Sequence, residues 1–362
     1  MADSPIKPGS KKPKALLIGL GQHAHYFDGV AQALSDCGVG VTTDFLQRQG
    51  PVFLSSEQAA GVDVIVHRDC VKAHARKVVE AAGSENKPTV LLMDGVLEYA
   101  NTFLNQGVEN QFLRPAPADV VLASGEHDRR IFEALGNRAS ATGLVRLNGF
   151  ADRVKACQCE HQPDGLLVAT ANQPAFTAGG RARLLASLKE ILEEGTRNGF
   201  QIRWRIDQQL AQEIGVAVDQ GDLAESLASV QAVLTSASTL AIESMLANKP
   251  TGIIHPHPWP LWIPTAWRLD GSCSEGVEQD LQAMKALDGA DKAANKAAND
   301  SIQEVFDGAK PIRTSSICQL IDALFEPCDE LRSLQDRIVQ QYACEDSPMR
   351  AAKTIECAAS MS

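Results

Sequence analysis

The sequence predicts two successive doubly wound α/β domains, and three observations carry that expectation. Short, continuous apolar runs alternate with segments of helical period from residue 14 to about 275, the pattern of parallel sheets covered by helices on both faces. The alternation falls into two series, separated by the polar stretch KACQCEHQPD (155–164). The 362 residues also exceed what one hydrophobic core usually organises, so two domains of about 150 residues each are the starting point.

The first series opens with KALLIGL (14–20), a buried-strand run ending in Gly19-Leu20-Gly21, and FDGVAQALSDCG, a helical segment stopping at Gly38. VGVTTDFL (39–46), VDVIVHR (62–68), the helical VKAHARKVVEAAG (71–83), PTVLLMDG (88–95) and ADVVLASG (118–125) continue it, and GLVRLNGFADR (143–153) closes it. In the second series, GLLVATA (165–171) reads as a strand and ARLLASLKEILEEG (182–195) as a helix ended by Gly195. FQIRWRID (200–207), AESLASV (224–230), AVLTS (232–236), TLAIESMLANK (239–249) and TGIIH (251–255) follow. The segment 278–310, rich in Ala, Asp, Lys and Asn, reads as an exposed helix or mobile insertion without chemistry. Helical patterns return at 316–325, 330–343 and 349–361. The expected boundaries are a tail over 1–13, a first domain over 14–153, a second over 164–335, and a C-terminal segment over 336–362.

Bulk properties narrow the function. The apolar fraction of 44% and charged fraction of 22% are ordinary for a soluble globular protein. A net charge of −11 argues against general nucleic-acid binding, which needs a positive surface to displace counterions from phosphates. No apolar run reaches the roughly 18 residues that span a bilayer, and MADSPIKPGSKKPK lacks the apolar core of a signal peptide. The nine cysteines are odd in number and scattered; Cys157-Gln158-Cys159 matches no common zinc spacing. Reduced thiols in a cytoplasmic protein are the expectation.

VLTSASTLAIESMLANKPTGII (233–254) carries the sharpest functional signal. In doubly wound domains ligands bind at the carboxyl ends of strands, beside helix starts. AVLTS supplies a strand end, Ser238 is an N-cap candidate, and Thr239 begins a helix whose first-turn amides can hold an anion. Ser236, Ser238 and Thr239 add hydroxyl donors. Glu243, one turn on, shares the face of Thr239 and points back toward the helix start, where a carboxylate can accept two ribose hydroxyls. A nucleoside diphosphate fits this pattern; a capped helix with a solvated Glu243 would read the same.

The segments ADVVLASGEHDRRIFEALG (118–136) with ATGLVRLNGF (141–150), and TSASTLAIESMLANKPTGII (235–254), resemble those of two-domain GT-B-type glycosyltransferases. The first pair is similar to the end of the acceptor-side domain, the second to the donor-site strand, turn and helix. The Ser-x-Ser-Thr-x-x-x-Glu pattern before Lys-Pro resembles the bacterial CDP-glycerol glycerophosphotransferase-like and surface-polysaccharide glycosyltransferase group. QQYACEDSPMRAAKTIECA (340–358) is similar to that group's final helix, which returns to the first domain. Arg205-Ile206-Asp207 stands where members often carry His-Pro, and Asn148 where an Asp is usual. The resemblance implies a nucleotide-activated donor, a hydroxyl acceptor, no further cofactor, and transfer of a sugar or polyol phosphate in glycan synthesis. Alternatives are a non-hydrolysing nucleotide-sugar epimerase, against which the lack of a Gly-Thr-Arg-Pro-Glu-like segment speaks, and a non-catalytic nucleotide-sugar-binding protein.

Other candidates follow from the same geometry. In the resembling enzymes the first loop faces the cleft, so His23 or His25 is a candidate base, with Asp28 as an orienting partner; imidazole titrates near neutrality. Asp94, at the end of PTVLLMDG, is a second base candidate. Asn172, Gly179, Gly180 and Arg181 follow the first strand of the second domain, where glycines admit close phosphate approach and Arg181 can neutralise a leaving diphosphate. Arg205, alternating with Arg203 about Trp204, adds positive charge. HPHPWPLWIP (255–264) reads as a stiff aromatic wall or as domain packing rather than a metal site, because His255 and His257 lack a third ligand.

Overall fold

The computed structural model describes residues 12–46, 54–68, 73–105, 113, 115–158, 163–285, 287, 290–342 and 346–360. The expected tail therefore falls almost wholly outside the described residues, as do Cys70, Cys159 and Cys344.

Two six-stranded sheets form, and every pairing in both is parallel. The first contains β1 (Lys14–Leu20), β2 (Gly40–Leu46), β3 (Val64–His67), β4 (Thr89–Leu92), β5 (Val120–Ala123) and β6 (Ala139–Ala141), in the order β2-β1-β3-β4-β5-β6. The second contains β7 (Leu166–Ala169), β8 (Ile202–Arg205), β9 (Ala232–Ser236), β10 (Thr251–Ile254), β11 (Trp267–Leu269) and β12 (Ile312–Thr314), in the order β12-β11-β10-β9-β7-β8. The central strands are buried along their whole length, as unbroken runs such as VIVH and LLVA require of a sheet covered on both faces. In each sheet the order reverses beside the first strand, between β1 and β3 and between β7 and β9. The crevices at those carboxyl ends are where ligands bind in such folds.

The helix Ser347–Ala359 returns to the first domain, as expected. Its Ala351, Ala352, Ile355, Ala358 and Ala359 complete the core formed by Val30, Ala33, Leu34, Val64 and Val90. The crossings differ from the sequence expectation. The helix Phe150–Gln158 lies under the second sheet, its Phe150 and Val154 packed with Leu167, Leu227 and Val233, so the chain changes domain near Gly149 rather than in the polar stretch. Gly149 takes φ +71 there, a left-handed turn suited to glycine. The helix Asp329–Tyr342 likewise buries Leu331, Leu334 and Ile338 in the second core, while its end reaches the first domain, where the Tyr342 ring lies 6.0 Å from that of His127. The return crossing is therefore made along this helix.

Two further expectations are corrected. Gly195 does not end its helix, which runs Ala178–Asn198 and stops at Gly199 with φ +71. A Cβ at 195 would lie 2.5 Å from Ile202 Cδ1, so this glycine lets the helix approach β8. The segment expected to be exposed contains the helix Ala290–Phe306, whose Ala294 and Ala298 are fully buried against the first-domain helix Glu126–Ala134. Trp262 joins the same cluster with Tyr99 and Phe103, and donates from Nε1 to Asn295 Oδ1 at 2.7 Å. The two domains thus meet in a shared apolar cluster beside their separate cores.

Candidate active site in the interdomain cleft

The site is built around the turn after β9. Ser236 ends the strand, and its Oγ accepts a 2.9 Å hydrogen bond from Ala171 N, which ties the turn to the end of β7 at the reversal of strand order. Ser238 takes the N-cap position of the helix Thr239–Leu246, but its side chain makes no capping hydrogen bond; its Oγ lies 3.4 Å from Thr235 Oγ1. Ala241 N donates to Ser238 O at 3.1 Å, while the amides of Thr239 and Leu240 lack a side-chain cap and remain able to donate to an anion. Thr239 turns its hydroxyl toward the first domain, where its Oγ1 accepts from Val96 N at 3.1 Å. Gly95 permits that approach, because a Cβ there would stand 2.5 Å from the same oxygen.

Two cavities flank this turn and meet at Ala171. One, of about 350 Å³, lies between the domains and is bounded by Ser236–Thr239, Gln173, His257 and Trp259 from the second domain and by Glu98 and Asn101 from the first. The other, also of about 350 Å³, lies at the carboxyl ends of β7 and β8, between Asn172, Arg205, Asp207, Gln208 and Asp219.

The loop after β10 forms the floor of the interdomain cavity. His257 stacks on Trp259 with ring centroids 4.1 Å apart, and His255 Nε2 hydrogen-bonds Trp259 O at 2.9 Å. Burial removes the hydration that an imidazolium needs, pushing His255 down to about 3 and His257 down to about 2, so both rings are neutral at physiological pH. His255 Nδ1, His257 Nδ1 and Trp259 Nε1 are buried without a hydrogen-bond partner in the structure. Arg183 fixes this loop from the helix Ala178–Asn198: its Nε donates to Pro256 O at 2.7 Å, and its guanidinium also meets Glu275 O and Asp280. Among the described residues no group of three or more His, Cys, Asp or Glu is arranged to hold a metal.

Solved structures share this architecture. The UDP-N-acetylglucosamine 2-epimerase of Rickettsia bellii matches with a TM-score of 0.50 at 12% identity, over 82% of this chain and 97% of its own. The wall teichoic acid polymerase TagF, solved with CDPG, matches with a TM-score of 0.50 at 12% identity, over 97% of this chain and 88% of its own. The fold is of the GT-B type. No protein-family model and no functionally curated protein matches the sequence.

Within the GT-B cleft, the residues singled out from sequence fall into three groups. Ser236, Ser238 and Thr239 border the interdomain cavity, and Asn172 and Arg205 meet in the adjoining one. Arg205 also donates from Nη1 to Gly221 O at 2.8 Å.

The second group is turned elsewhere. Glu243 borders neither cavity: its carboxylate pairs with Arg146 of the first domain, with only 8% of the side chain exposed. A ribose would reach it only in exchange for that guanidinium. Arg181 pairs with Glu213 on the surface, because the helix begins at Ala178 and directs this position toward the helix Gln208–Ile214. Gly179 and Gly180 serve packing: added Cβ atoms would meet Gly276 Cα at 2.8 Å and Trp259 Cη2 at 3.0 Å.

The third group sits at the carboxyl edge of the first sheet. His23 and His25 lie in the 3-10 helix Gly21–Tyr26, with His25 against Tyr26 at 4.1 Å. Arg68 lies 4.3 Å above the Tyr26 ring and pairs with Asp94, whose main-chain oxygen accepts from Arg146 Nε at 2.9 Å. Neither histidine nor Asp94 borders the two cavities. Sequence reasoning missed Glu98, Arg146 and Arg68. A basic residue just past an apolar strand was the available sign for Arg68; Glu98 carried none.

Proposed function

We propose that this protein is a GT-B-type transferase that moves a sugar or polyol phosphate from a nucleotide-activated donor to an acceptor hydroxyl. The observation that carries this reading is the pair of joined cavities astride the β9 turn, at the reversal of strand order. The nucleoside lodges in the cavity of Asn172, Arg205, Asp207 and Asp219, where Arg205 supplies positive charge and the carboxylates accept hydroxyls. The diphosphate spans Ala171 and the turn 236–239, held by the uncapped amides of Thr239 and Leu240 and by Ser238. The transferred group enters the interdomain cavity, whose neutral His257 and unpartnered Trp259 Nε1 suit uncharged hydroxyls. Phosphate charge is stabilised by oriented amides more than by guanidinium groups, since among the described residues no Lys or Arg borders the interdomain cavity.

The matching structures suggest two donors for a first test, UDP-N-acetylglucosamine and CDP-glycerol. Thermal shift against both, together with UDP, CDP, CMP, GDP and dTDP, should show one nucleotide family raising the melting temperature, because a ligand selective for the native state stabilises it. A flat response across all of them would sink the reading. Appearance of an isomerised sugar nucleotide without acceptor consumption would replace transfer by epimerisation.

A further inference from the structure

Glu98 stands on the first-domain wall of the interdomain cavity, opposite the donor turn. It caps the short helix Tyr99–Phe103, and its Oε2 accepts from Asn101 N at 2.6 Å, which fixes the direction of the carboxyl. A capping carboxylate normally becomes a stronger acid, because amides favour its charged form. Here lost hydration outweighs the bonds from Asn101 and Ala100, and the carboxyl is pushed up to about 7 even though part of the side chain still borders the cavity. No ion pair to Glu98 forms among the described residues, in contrast to Asp94 and Glu243. Among the described residues, the titratable groups around it are His255 and His257, both neutral, Tyr99, whose hydroxyl is pushed up to about 12, Asp291, which acts on Tyr99 from the helix Ala290–Phe306, and Asp128. Asp128 Oδ2 accepts from Leu97 N at 2.9 Å, and burial pushes its carboxyl up to about 7, so the comparison with E98Q assigns the titration.

We infer that Glu98 is the proton acceptor of this site, taking the acceptor's hydroxyl proton as that oxygen attacks the donor. This rests on the transferase reading above. One bond forms, between the acceptor oxygen and the anomeric carbon or phosphorus of the transferred group. One breaks, between that atom and the bridging oxygen, which leaves on the nucleotide with the bonding pair; the proton stays on Glu98 and then passes to solvent. A group half ionised near neutral pH is suited to such a role. The histidines of the first loop and Asp94 border neither cavity and are not placed for it.

The same geometry links donor binding to protons. A diphosphate held beside Glu98 raises the proton affinity of the carboxyl, so binding near pH 7 takes up a fraction of a proton per site. Calorimetry at pH 7 in buffers of different ionisation enthalpy, with UDP-N-acetylglucosamine and CDP-glycerol as probes, reads this uptake directly. Neither diphosphate ester titrates in that range. E98Q retains an oxygen for Asn101 N and removes the titration. It should bind the same probe with little loss and no proton uptake. In turnover, kcat/KM of the native protein should rise through about pH 7, whereas that of E98Q should be flat and lower by about 100- to 10,000-fold. Binding to the native protein without proton uptake, or native turnover by E98Q, would overturn Glu98 while leaving the transferase reading intact. Failure of every nucleotide to bind the native protein would overturn both.

Discussion

Two parts of the domain interface are held by opposite physics. In one, Trp262, Tyr99, Phe103, Ala294 and Ala298 form an apolar cluster that draws on both domains. In the other, Arg68, Asp94, Arg146 and Glu243 form a chain of charges, and Tyr26 lies beneath both guanidinium groups. The apolar part depends on shape and burial, which salt leaves largely unchanged. The charged part depends on each partner being present, since a buried charge left alone is costly. Glu98 belongs to neither, since among the described residues no ion pair to it forms, and that difference separates the carboxyl proposed to take a proton from the paired carboxylate of Glu243.

The largest expected effect breaks the apolar part. Trp262→Ala removes a side chain that is 1% exposed and leaves a cavity, which costs about 3–5 kcal/mol. Urea unfolding at low and high salt should show the same loss in both; a loss below about 1 kcal/mol would mean that the domains are not joined through this cluster. Next comes Arg146→Ala, which strands the Glu243 carboxylate. The cost should be about 3 kcal/mol, at the low end for a buried pair because Arg146 keeps 22% exposure. Adding Glu243→Gln to that variant should restore part of the loss; simple addition of the two losses would show that the pair is not coupled. The smallest effect concerns the turn. Because Ser238 makes no capping bond, Ser238→Ala should change stability by less than about 0.5 kcal/mol, where loss of a working cap costs about 1 kcal/mol. Calorimetry should instead show nucleotide affinity falling about 2- to 13-fold, the worth of one hydrogen bond. A loss of stability with unchanged affinity would return Ser238 to a purely capping role.

The sheets were legible because both faces of each strand are buried, so runs such as LLVA and VVLA stand out against their surroundings. The turn after β9 was legible for a similar reason: strand end, hydroxyls and helix start are consecutive in the chain. What lay hidden were the partners across the domains. Glu243 and Arg146 are 97 positions apart, and residue type alone does not say that a carboxylate meets a guanidinium rather than a ribose. The helix Ala290–Phe306 was misjudged because its buried stripe consists of alanines four apart among Asp, Lys and Asn, an apolar signal too small to see. Glu98 borders a cavity lined by residues of both domains, so its surroundings come from positions far apart in the chain.

The returning helix Ser347–Ala359 has a consequence for how the protein is made. During synthesis the strands of the first sheet leave the ribosome early, yet the side chains that cover Val30, Ala33 and Val64 come from residues 351–359, which emerge only after the whole second sheet has been translated. The nascent first domain therefore carries an uncovered apolar face throughout translation of the second, a period of roughly 10–40 seconds at 5–20 residues per second. A chaperone that recognises exposed aliphatic surface should engage it during that interval and be displaced as the helix docks.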